Sequence, residues 1–107
     1  MVHKLEEGWK GANNEFFSTP DEAIDSINKL RNHFYEAVDK LPDEGIQEVA
    51  PNLVPIDAKV AVKDAVRSLF EQGYTNTSDV IANLKVELVN YGPEFIDFIA
   101  QYLQSII

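Results

Sequence analysis

Cysteine is absent from this chain of 107 residues, which rules out a disulfide framework, a zinc–thiolate site and a thiol nucleophile, and leaves packing alone to hold the fold. Histidine occurs twice, at His3 and His33, and neither has a partner at the i, i+4 spacing with which one helix face grips a metal. Glycine is sparse: Gly8, Gly11, Gly45, Gly73 and Gly92 never form a Gly-rich loop ahead of a helix, so phosphate-cradling motifs are missing. Long hydrophobic runs are missing too. The most apolar segment, at the end of the chain, is broken by Asp97, Gln101 and Gln104 and is too short and polar to cross a bilayer. Cations are the last scarcity. Nine Lys and Arg stand against eighteen Asp and Glu, for a formal charge of −9, and none follows Lys85. Nucleic acid and anionic membranes attract clustered cations, so neither is an expected partner and no membrane insertion is expected. A basic protein partner stays compatible with this charge.

What remains is a chain of ordinary globular composition, 45% apolar, long enough for one domain with a packed core. Met1 to Glu7 is polar and lacks an apolar h-region, so no signal peptide is expected. With the missing cysteine this favours a cytoplasmic location, and a secreted mature form is also compatible. In that setting Asn76-Thr77-Ser78 would be a glycosylation sequon, although the triplet reads first as a helix-capping cluster.

The periodicity predicts an all-α fold, a compact bundle of four to five helices over residues 19–107 behind a loosely structured N-terminal arm, residues 1–18. Gly8, Gly11 and Asn13-Asn14 oppose helix in the arm, while Trp9, Phe16 and Phe17 should hold it against the bundle. Thr19-Pro20-Asp21-Glu22 supplies an N-cap, a proline at the first helical position and the capping-box glutamate. Ala23, Ile24, Ile27, Leu30, Phe34, Ala37, Val38 and Leu41 then share one helix face, and Pro42 ends it. Ile46 and Val49 suggest one weak turn in the connector. Asp57 is the expected N-cap of the next helix, whose inner face is Ala58, Val62, Ala65, Val66, Leu69 and Phe70. Gly73 should close it as a left-handed cap with Tyr74 folded back. Thr77 or Ser78 opens a helix to about Tyr91, apolar on two sides through Val86 and Val89 and so expected to be central. Gly92-Pro93 stops it and starts a last helix as its spatial neighbour.

Catalysis has little to stand on. Asp21-Glu22 suits a helix N-terminus without any chemistry, Glu6-Glu7 and Asp43-Glu44 fall in arm and connector, and no Gly-x-Ser-x-Gly elbow or calcium loop occurs. No enzyme activity, metal or cofactor is expected. Two short stretches bear a likeness to known families. Trp9-Lys10-Gly11 resembles the Trp-x-Gly motif of small secreted helical-hairpin proteins, but that motif sits mid-chain at the turn between two long helices. Here it lies in the arm, and prolines divide the chain into more helices, so that family is set aside. Lys29-Leu30-Arg31, with Val38-Asp39-Lys40-Leu41 and Asp43-Glu44, is similar to a stretch of nematode fatty-acid- and retinol-binding proteins, which implies a lipid carrier.

Two functions follow as expectations. The last helix presents large apolar side chains over roughly 180° of arc, wider than the roughly 100° stripe a surface helix needs. With Val60, which points away from its own helix stripe, this favours an interaction module for a protein partner or a homo-oligomer, anchored by Phe95, Phe98, Tyr102 and Ile106. The alternative is a carrier of a small apolar ligand such as a fatty acid, lined by Phe34, Phe70 and Tyr91, with Arg31, Arg67 or Lys85 to meet a carboxylate head group.

Overall fold

A computed structural model describes residues 4–5 and 8–106. Among them, helices dominate: α1 (Pro20–Asp39), α2 (Asp43–Val49), α3 (Pro55–Glu71), α4 (Thr77–Glu87) and α5 (Pro93–Ile106). α1 begins where its capping box demands. The Thr19 hydroxyl oxygen accepts the Glu22 amide at 3.2 Å and donates to the Glu22 carboxylate at 3.0 Å, and Pro20 occupies the first helical position. Its inner line is Ala23, Ile27, Phe34, Ala37 and Val38. Ile24, expected on that face, is 45% exposed. It follows Ala23, so it sits about 100° around the helix from the inner line.

α2 is a seven-residue helix rather than a single weak turn. Its Asp43 and Glu44 complement the N-terminal dipole, and its Ile46 is completely buried. Asp57 is not the cap of α3. The helix opens earlier, on Pro55, whose fixed φ suits a first turn and whose missing N–H needs no acceptor, and Asp57 lies within that turn. The far end of α3 is as expected. Gly73 takes φ +102°, its N–H donates to the Phe70 carbonyl at 3.1 Å, and the Tyr74 N–H donates to the Leu69 carbonyl at 3.0 Å. This is a Schellman closure, left-handed at the one position where glycine carries no penalty.

α4 ends at Glu87, and Val89–Tyr91 form a separate 3-10 turn, so the helix stops short of Tyr91. Nor is it central. It packs against α3 and α5, while Val86 and Val89 face away, strongly exposed. Gly92, at φ +92°, then reverses the chain into α5, making α4 and α5 neighbours. The interior positions go to α3, which touches α1, α2 and α4, and to α5, which touches α1, α2 and α4. Phe34 and Phe70 meet edge to face across the core, ring centres 6.1 Å apart.

The arm has more structure than its sequence suggests. β1 (Lys4–Leu5), β2 (Gly8–Lys10) and β3 (Phe16–Phe17) form an antiparallel meander in the order β1-β2-β3, with Lys4 opposite Trp9 and Trp9 opposite Phe17. Strands of two or three residues are too short to show alternation, so the pattern is invisible in the sequence. The residues that oppose helix here make the turns: Asn13 and Asn14, both with positive φ, lie in a 3-10 turn between β2 and β3. As expected, the arm lies on the bundle, although Phe16, one of the three side chains expected to hold it there, is 46% exposed. Ala12 is buried and its N–H donates to the Ser26 hydroxyl oxygen at 3.0 Å, while the Asn13 N–H donates to the Thr75 carbonyl at 3.1 Å.

Candidate functional site

The last helix turns part of its wide apolar arc into the fold. Phe95, Ile99 and Leu103 are buried because α4, α2 and α1 surround them. Of the four expected anchors, Phe95 is 0% exposed and stacks 5.3 Å from Tyr91, so it is a core side chain and offers a partner no surface. Phe98 and Tyr102 are half-buried, their rings 6.3 Å apart. Phe98 lies over Gly45, and the Tyr102 hydroxyl donates to the Lys40 carbonyl at 2.8 Å. Only Ile106, 37% exposed, stands clear. Phe95 thus stands apart from the other three, which follow at i, i+4 and i+8 along α5 with partial exposure.

The expected carrier residues are scattered. Phe34 and Phe70 fill the core against each other. Tyr91 lies on the surface, and Arg31 is half-buried on α1. Arg67 is exposed and paired with Asp64 at 3.2 Å. Lys85 lines a different, open depression of about 550 Å³ beside Ile81 and Gln104.

Exposed apolar side chains are spread over several elements, and one group of them lies on α3 and in the turn after α4. Ile56 and Val60, one helical turn apart, project outward, as do Val54 and Tyr91. Val60, 52% exposed, and Tyr91, 40% exposed, both line an open groove of about 470 Å³. One wall is three turns of α3: Asp57, Val60, Ala61, Asp64, Ala65 and Ser68. The other is Glu87, Leu88 and Tyr91. At one point the Gln72 amide bridges the walls, donating to the Ser68 hydroxyl oxygen and to the Glu87 carboxylate, each at 3.0 Å.

The charges of α3 are sorted by flank. Lys59 and Lys63 turn to the other side, where they pair with Asp43 and Asp39. Asp57 and Asp64 face the groove, opposite Glu87, and no Lys or Arg lines it. Asp57 has no salt-bridge partner among the described residues. The result is a groove whose lining mixes apolar side chains with three carboxylates, suited to a ligand that combines apolar and positive groups. Among the described residues no cluster of His, Asp and Glu could hold a metal ion, and no described helix is long and apolar enough to cross a membrane.

Sequence reasoning singled out Val60 and Tyr91 but never joined them, because they belong to different elements 31 positions apart in the chain. The one available signal was local: Ile56 and Val60 recur at i, i+4 off the buried stripe. Compared with protein-family profiles, curated proteins and solved structures, the chain matches none, so its function is argued from its own residues.

Proposed function

We propose that this chain is a non-enzymatic helical interaction module that docks a protein partner on the outer surface of α3. The observation that supports the reading is the exposure of Val60 and Tyr91 on the two walls of one groove, while Phe95, Ile99 and Leu103 of the last helix are enclosed in the core. Contiguous exposed apolar surface rimmed by polar groups marks contact sites. The contact thereby moves from α5, where Phe95 is enclosed, to α3. Self-association is the weaker form of the proposal, since two copies of a chain with charge −9 repel.

The carrier reading keeps one foothold, the open depression in which Lys85 stands next to Ile81. Native mass spectrometry on protein purified without detergent from the cells that make it separates the two. A stoichiometric complex with a second polypeptide supports the module. A monomer carrying a few hundred daltons of extra mass, shed on activation, overturns it in favour of a carrier, and a bare monomer throughout also counts against it.

A further inference from the structure

Resting on that reading, we infer that the groove between α3 and the end of α4 takes a cationic amphipathic helix. The shape of the walls argues for a helix. Asp57, Val60, Ala61, Asp64, Ala65 and Ser68 recur at three- and four-residue spacing, so the wall is the ridge-and-groove surface of α3 itself, which a second helix matches by interdigitation. A peptide that binds by strand addition would need an unpaired strand edge, and no strand lines this groove. Ala61, Ala65 and Leu88 line the groove together with the projecting Val60 and Tyr91, so the lining offers contacts to the apolar anchors of an incoming helix.

Charge decides which helix. Asp57, Asp64 and Glu87 line the groove, and Lys59 and Lys63 are held on the opposite flank of α3 by Asp43 and Asp39. Arg67 shields Asp64 alone, leaving Asp57 and Glu87 to meet lysine or arginine. A second copy of this chain would bring the same carboxylates to the same groove, and a fatty acid would bring a further anion. A partner helix with leucine-type anchors flanked by basic residues matches both the apolar side chains and the carboxylates of the groove.

The test is a titration of the isotope-labelled full chain with a synthetic leucine–lysine amphipathic peptide of about 14 residues, roughly four helical turns. It is read by amide chemical shifts and by fluorescence anisotropy at low and high salt. Shifts are expected to cluster at Val60, Ala61, Ala65, Leu88 and Tyr91. Val60→Ser, a change on an exposed position, should weaken binding about tenfold. The combined Asp57→Asn, Asp64→Asn and Glu87→Gln variant should weaken it and flatten its salt dependence. Equal binding of a leucine–glutamate peptide at the same groove would overturn the inference, as would a dimer of the free chain that Val60→Ser dissociates. Shifts on another face remove this groove yet leave the interaction module standing. Failure of every peptide to bind overturns the cationic helix as occupant, and the native mass spectrum then decides whether the module itself stands.

Discussion

Helix α4 is capped from outside its own segment, and removing that cap is the sharpest test of how the arm and bundle cooperate. The Thr77 N–H, at the first position of α4, donates to the Asn13 side-chain oxygen at 2.7 Å, across 64 residues of sequence. Asn76 occupies the N-cap position but makes no side-chain cap. Instead its amide reaches Asp79 and Asn14. Asn13 also sits at φ +56°, ψ +32°, in the left-handed region that asparagine tolerates and alanine resists by about 1 kcal/mol. Loss of an N-cap bond at an exposed position costs about 1 kcal/mol more. Asn13→Ala should therefore destabilise the chain by about 2 kcal/mol. Asn13→Gly removes the cap but not the conformational freedom, so its cost should be about half as large. Asn76→Ala should cost less than about 0.5 kcal/mol, since it removes no cap and relieves a buried side-chain amide oxygen that has no partner among the described residues. Urea unfolding followed by circular dichroism gives all three numbers, and hydrogen exchange at Thr77 localises the effect. If Asn76→Ala proved costlier than Asn13→Ala, the cap would belong to the helix's own neighbour and the reasoning would fail.

Three further substitutions probe other parts of the fold. Phe95→Ala should cost roughly 3–5 kcal/mol in thermal or urea unfolding because the ring is wholly buried; a stable monomer with altered association would return it to an interface. Asp57→Ala should cost about 0.5 kcal/mol at low salt and almost nothing at high salt, as a dipole effect predicts, whereas a larger, salt-insensitive loss would reinstate it as a cap. At Gly45, a new Cβ would lie 2.6 Å from the tip of the Phe98 ring, so Gly45→Ala should cost about 1–3 kcal/mol through overpacking. In a Phe98→Leu background the same change should become neutral or favourable by up to about 1 kcal/mol, because alanine is the better helix residue. An unchanged sign in the double-mutant cycle would show that α2 and α5 do not meet there.

Local signals determined much of this protein before any contact was known. The Thr19 capping box, the 3.6-residue stripes of α1 and α3, the Gly73 closure and the Gly92-Pro93 break are written in residues a few positions apart, where backbone sterics and hydrogen bonding act without a tertiary partner. The all-α class followed from them. Tertiary structure decided whatever depended on which faces meet. A wide apolar arc on α5 reads the same whether it is exposed or enclosed, and only the packing of α4, α2 and α1 around it shows that Phe95 is core. The two-sided pattern of α4 pointed inward in the sequence, yet Val86 and Val89 face out because no helix lies across them. The arm's meander and its cap on α4 join residues too few or too distant for periodicity to register. The groove has the same origin. Its acidic lining exists because Lys59 and Lys63 are drawn to α1 and α2, which leaves the carboxylates of the other flank to face Glu87 and Tyr91, a pairing of helix surfaces that no single stretch of sequence contains.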